Sequence, residues 1–293
     1  MRCIGDTERG GVVLAQRAEG STAVVTGAGR GIGRSIAVAL VRDGCRVAIC
    51  DVDGDAVRAT LAALGQQCHG AVVDVSDAEA VHAFVIDSAN RLGALDVMVN
   101  NAGVMPCGPL SDHSVSMLQR LVEVNLLGTQ YGCRSALEVM SQQGKGHIVN
   151  IASATAFKPL PGLAPYSATK AAILAFGEAL RCELRGTGIR ITTVCPYTTL
   201  TAASTGLGAQ RGFSPIHPDR VGHAVAALRR RPKPIVHVPP YLAALPWLGL
   251  LPGWAQALLD HVSAINTIGL QADLASRTTY MESILREESR PSV

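Results

Sequence analysis

The chain has 293 residues, 48% of them hydrophobic and 17% charged, with a formal net charge of +3. That size can bury a large core, and that balance argues against disorder. So small a charge argues against a nucleic-acid partner, because the one basic run, "LRRRPKP" at 228–234, carries no interleaved aromatics to stack bases.

Residues 1–20 lack a long apolar core and a cleavage pattern, and read as a loose leader rather than a secretory signal. From residue 21, short β-branched runs alternate with longer helical patterns. "STAVVTG", "RVAICD", "CHGAVVDV" (68–75), "LDVMVNNAG" (95–103), "GHIVNIAS", "RITTVCP" and "PIVHV" read as strands. Helices are predicted over 33–44, 55–65, 77–93, 114–142, 166–186 and 218–230. Alternation of this kind calls for an α/β fold, a doubly wound parallel sheet covered by helices on both faces, spanning 21–238 as one domain.

The remainder, 239–293, forms an extension of a different kind. Residues 238–259 carry no charge for 22 positions, but Pro239, Pro240, Pro246 and Pro252 interrupt them. A continuous membrane-spanning helix is therefore not expected. A hydrophobic lid, a dimer contact or a segment resting on a membrane surface near Arg229, Arg230, Arg231 and Lys233 all fit. The final stretch, from Arg277, reads as a polar helix with a frayed tail.

Eight cysteines are scattered without a C-x-x-C pair, and eight histidines form no cluster. No metal site and no disulfide framework are expected, and a reducing, cytoplasmic compartment suits the pattern.

"VVTGAGRGIGRSIA", 24–37, follows a strand and opens a helix. Gly27, Gly31 and Gly33 permit a tight turn and close approach of a pyrophosphate, beside Arg30 and Ile32 at the helix start. Asp51 ends the next strand, 18 residues beyond Gly33, where a carboxylate can accept from both ribose hydroxyls and repel a 2′-phosphate. Strand, loop, helix and acid together predict dinucleotide binding, with NAD favoured over NADP. Arg30 is the residue that argues the other way.

"APYSATKAAI", 164–173, sets Tyr166 and Lys170 one helical turn apart. In order and spacing, "TGAGRGIG" at 26–33, "DV" at 74–75, "NNAG" at 100–103, Asn125 in "VNLLG", Ser153 in "NIAS" and "YSATK" at 166–170 resemble the short-chain dehydrogenase/reductase (SDR) family. The resemblance covers about 21–238 and implies a Rossmann fold, a nicotinamide cofactor and assembly as a homodimer or homotetramer.

Carried over by position, the resemblance makes Tyr166 the proton donor and acceptor, and Ser153 the partner of the substrate oxygen. Asn125 positions a water in a proton relay, and Lys170 holds the nicotinamide ribose. A free phenol titrates near ~10, and a cation about 4 Å away at an effective dielectric near 20 contributes roughly 4 kcal/mol. Lys170 is therefore expected to make Tyr166 a usable acid at neutral pH. The resemblance sets Asn101, Ala102 and Gly103 by the adenosine ribose, and Asp74 and Val75 by the adenine. Pro196, Thr199 and Thr201 fall by the carboxamide, while Asn100 braces neighbouring strands. One departure stands out, since Tyr197 follows Pro196 where the family usually has glycine.

The expected activity is NAD(H)-dependent interconversion of a secondary alcohol and a ketone, with a lipophilic substrate held by 104–113, 154–163, 197–216 and 239–259. An NADPH-preferring carbonyl reductase and a non-catalytic nucleotide sensor are the alternatives.

Overall fold

The β-branched runs pair as seven strands, all parallel, in the order β3-β2-β1-β4-β5-β6-β7. They are β1 (Thr22–Thr26), β2 (Arg46–Asp51), β3 (His69–Val72), β4 (Val97–Asn100), β5 (Gly146–Ile151), β6 (Ile189–Pro196) and β7 (Ile235–Val238). The computed structural model describes residues 20–66, 68–207, 214–248, 251–263, 269–270 and 272–286. The leader and the tail of the final helix lie outside these residues, as do 208–213 of the predicted substrate loop.

Helices α1 (Gly31–Arg42), α2 (Gly54–Leu64), α3 (Ala78–Leu92), α4 (Val115–Val122), α5 (Gly128–Gln143), α6 (Ala164–Glu183) and α7 (Pro218–Leu228) fill the connections. The period-two alternation of each strand feeds two cores. Ala23 and Val25 face Ile36 and Leu40 of α1 and Val221 of α7, whereas Val24 faces Phe84 of α3 and Met140 of α5. Both faces are covered, which is why the strands read as nearly unbroken apolar runs. The strand order reverses between β1 and β4, and the crevice beyond their carboxyl ends is the place a doubly wound sheet offers a ligand.

Two local readings are corrected. The stretch 114–142 is two helices joined by a π turn at Glu123–Leu127. A turn of that kind inserts one residue into the helical ladder and re-aims the side chains around it. Strand β3 stops at Val72 rather than at Val75, because the chain leaves the sheet edge and turns Asp74 back onto Ser76. Within the basic run, Arg229 and Arg230 pair with Asp43 at the end of α1.

Beyond β7 the chain forms a short 3₁₀ stretch (Pro240–Ala244), then α8 (Leu245–Leu248), α9 (Gly253–Ser263) and α10 (Leu274–Arg286). Among the described residues no helix is long and apolar enough to cross a membrane.

Candidate active site

The glycine loop closes over the reversal point. Gly27 has φ +62°, and a Cβ there would stand 2.6 Å from the Ala102 Cα. Gly33 packs against the Gly27 carbonyl and the Asn101 side chain too closely for any Cβ. Only glycine meets both demands. Asn101 ties the loop to the end of β4, donating from Nδ2 to the carbonyls of Thr26 and Gly27, each at 2.9 Å. No side chain caps the first turn of α1, and Gly31 and Ile32 there line the central cavity. Thr201 comes from the far wall to within 3.1 Å of where a Cβ on Gly31 would sit. The cleft is thus built to admit a pyrophosphate against backbone amides.

Asp51 accepts from Gly29 N at 2.9 Å and from Asp53 N at 3.1 Å, which fixes its carboxylate at the rim of that loop. Arg30 pairs with Asp53, the residue that also N-caps α2. Asp74 meets a partner that sequence reasoning missed, the buried Arg120, at 2.7 Å. Burial pushes the Asp74 carboxyl up, but hydrogen bonds from Arg120 and Ser76 prevail and hold it below the ordinary range. The one available signal was an arginine on the same helical face as Met117, Leu121 and Val124.

Ser153 leaves the end of β5 and accepts from Thr155 N at 3.1 Å, so the capping role and the site position coincide. Asn125 is no surface residue. It lies in the π turn, fully buried; its Oδ1 accepts from Val104 N at 2.8 Å, and its Nδ2 donates to Val104 O and to Thr169 Oγ1. Gly103 passes between Asn125 and Lys170, where a Cβ would meet Oδ1 at 3.1 Å and Nζ at 3.4 Å. Lys170 is only 4% exposed and donates to the Ile151 carbonyl at 3.0 Å. Asn100 bridges strands, donating to Asn150 Oδ1 at 2.9 Å.

Burial leads the electrostatics of Tyr166 and Lys170. Lys170 Nζ stands 5.7 Å from the centroid of the Tyr166 ring. Burial pushes the Tyr166 phenol above its ordinary value, with Ser153 working against the rise and Tyr280 adding to it. Burial likewise brings the Lys170 ammonium down to about 8. Burial is the largest influence at both groups, and Tyr166 keeps its proton at neutral pH.

Beyond Pro196, Tyr197 donates its backbone N–H to the Val238 carbonyl at 2.8 Å. Its side chain joins the cavity wall, and burial pushes its phenol up to about 12. Thr199 is buried and donates to the Tyr197 carbonyl, while Thr201 caps the next short turn.

The helix read as polar is the roof of the site. Arg277 of α10 is fully buried and donates to the carbonyls of Ala203, Thr205 and Met105 at 2.7–2.8 Å. The Tyr280 hydroxyl accepts from Met105 N at 2.9 Å, and Tyr280 and Ile284 line the cavity. That cavity is about 830 Å³ and is walled by the glycine loop, Asp51, Asp74, Val75, Ser153, Tyr166, Lys170 and Thr199. Away from the loop its lining is largely apolar, with Met105, Leu160, Leu163, Leu207, Leu242 and Leu245, and with Lys158 and Tyr280 among its polar members. Among the described residues no group of three His, Cys, Asp or Glu is placed to hold a metal.

A family model described as short chain dehydrogenase matches residues 21–212. The chain belongs to the short-chain dehydrogenase family. This short-chain dehydrogenase is 38% identical over 244 residues to the "Probable oxidoreductase EphD" of Mycobacterium tuberculosis, a match that takes in 75% of the chain. It spans only 41% of that relative's length. It is 36% identical over 187 residues to the 2-dehydro-3-deoxy-L-rhamnonate dehydrogenase (NAD(+)) of a Sphingomonas species, covering 64% of this chain and 75% of the other. Among solved structures it is similar to a variant of actinorhodin polyketide ketoreductase with NADPH. There the TM-score is 0.70 at 29% identity, over 76% of this chain and 97% of that one. Its relatives and structural neighbours thus include both NAD and NADPH users.

Proposed function

We propose that this short-chain dehydrogenase uses NAD(H) to interconvert a lipophilic secondary alcohol and its ketone. The observation that carries the reading is the meeting of Ser153, Tyr166 and Lys170 with the glycine loop in the wall of one cavity. The loop fits a dinucleotide, because its backbone approaches the cavity where side chains would block it. Asp51 at the loop rim, with Arg30 engaged by Asp53, supports NAD over NADP. When bound, the nicotinamide supplies or accepts the hydride.

The chain's own residues handle the proton and the orientation. Tyr166 as the phenol gives its proton to the carbonyl oxygen during reduction, and as the phenolate left by that transfer takes one from the alcohol during oxidation. The Ser153 hydroxyl donates to the same oxygen as charge develops on it. Lys170 brings a cation beneath Tyr166 and a donor to the ribose side of the cavity. Asn125 locks Val104 and Thr169 together and so fixes the cofactor wall against α6. The apolar far wall favours a lipophilic substrate over a sugar acid. Among the described residues seven cysteines carry free thiols, in keeping with a reducing, cytoplasmic setting.

The test is absorbance of reduced nicotinamide with a panel of lipophilic secondary alcohols, NAD and NADP in parallel, for wild type and Tyr166→Phe. The expected result is NAD reduction by wild type, at least about a hundredfold lower in the variant at unchanged NAD affinity. Equal turnover by the variant would remove Tyr166 from the chemistry.

A further inference from the structure

We infer that residues 240–248 and 251–258 form a docking surface for a lipid bilayer, placed beside the substrate cavity. Helix α9 turns apolar side chains to the surface. Its exposed face carries Trp254, Ala257, Leu258 and His261, spaced i, i+3, i+4 and i+7 as the buried stripe of an amphipathic helix normally is. Gln256 and Asp260 lie off that face and are half-buried. Gln256 donates to the Leu251 carbonyl at 2.8 Å, and Asp260 pairs with Lys158 at 2.8 Å, both ends of that pair being largely buried.

The patch extends to α8 and the 3₁₀ stretch before it. Trp247 is 70% exposed and Trp254 74%, and they are the only tryptophans in the sequence. Tyr241, Leu248 and Leu251 are also exposed. A surface of this size and character on a single chain marks something that covers it.

The composition points to a bilayer. Residues 238–259 contain no Asp, Glu, Lys or Arg, and the next charge, Asp260, is neutralised by Lys158. Tryptophan and tyrosine with leucine are the residues that settle at the level of lipid headgroups. The segment rests on the surface rather than crossing it, since no described helix is long and apolar enough to span. The opposite side of the same segment lines the cavity through Leu242 and Leu245. A second protein copy here would sit over the cavity rim, whereas a bilayer would deliver an apolar substrate to it. The basic run at 228–234 is not part of this patch. It enters β7 at the strand's other end, and Arg229 and Arg230 are engaged by Asp43.

The full-length protein is to be sedimented with phosphatidylcholine vesicles, with and without phosphatidylserine, while tryptophan emission is followed. The double variant Trp254→Ser/Leu258→Ser and the single variant Trp247→Ser are run beside it, with circular dichroism to confirm their fold. Wild type should sediment with pure phosphatidylcholine and its emission shift to shorter wavelength. The double variant should partition at least about tenfold less, since each side chain loses its transfer out of water, and Trp247→Ser should fall between. Lack of sedimentation by wild type, or equal sedimentation by the folded double variant, would overturn the inference. So would binding that needs phosphatidylserine and disappears in salt. A wild-type dimer that the double variant splits, with neither protein sedimenting, would assign the face to a second copy instead. Because the readout is partitioning, it stands whether or not a substrate has been found.

Discussion

Asp51 spends one carboxylate oxygen on Gly29 N and the other on Asp53 N, so it shapes the loop as well as facing what the loop holds. Replacing it by serine removes the charge that repels a 2′-phosphate while keeping a hydroxyl for the ribose. We expect Asp51→Ser to lower the ratio of kcat/KM for NAD to that for NADP by at least about tenfold, the discrimination of one charged hydrogen-bonding group. Steady-state kinetics with both cofactors reads this directly. At this scale the motif residues were legible because each keeps a fixed distance from the glycine loop or from Tyr166. Arg120 and Tyr280 were not, because their partners lie 46 and 175 residues away in sequence and only the fold brings them together. The weight of burial on Tyr166 and Lys170 was not legible for a similar reason, since sequence gives spacing but not burial.

Strands were the most legible elements, because covering both faces of the sheet leaves an apolar run with little ambiguity. The overlong reading of β3 came from "VDV", where valines buried against α3 look like strand but belong to the connection that carries Asp74. Helix α10 was misread for its charges. Arg277, Tyr280 and Ile284 recur at i, i+3 and i+7, so the pattern was present, but an arginine at the centre of a buried face looks like a solvent face. We expect Arg277→Met to leave three buried carbonyls without their donor, at a local cost of about 3 kcal/mol. Hydrogen exchange should quicken in α10 and in residues 202–205 while the central strands keep their protection. Unchanged exchange there would show that α10 is held by apolar packing alone.

For the molecule as a whole, the doubly wound order was readable from alternation and the roof over the cavity was not, because nothing in a strand–helix pattern says where a trailing segment returns. Acid sensitivity is a property at this scale too. His147, within β5, bonds Thr192 Oγ1 across to β6 at 2.8 Å, and burial, with Arg190 beside it, pushes its imidazole from 6.5 down to about 4. The unfolded chain therefore takes up a proton that the folded chain refuses between those values, and stability falls as pH drops through that window. The loss amounts to at most about 3 kcal/mol. Urea unfolding of wild type at about pH 7 and about pH 4.5 should show this fall, and His147→Gln should flatten it.

Arg277 has a further consequence for how the cavity works. It joins the connection after β4, through Met105, to the connection after β6, through Ala203 and Thr205. Two loops that would otherwise fray on their own schedules share one side chain, and neither can swing away without releasing the other. Movement of either connection therefore has to break bonds that also anchor the other, so the two are coupled through one guanidinium.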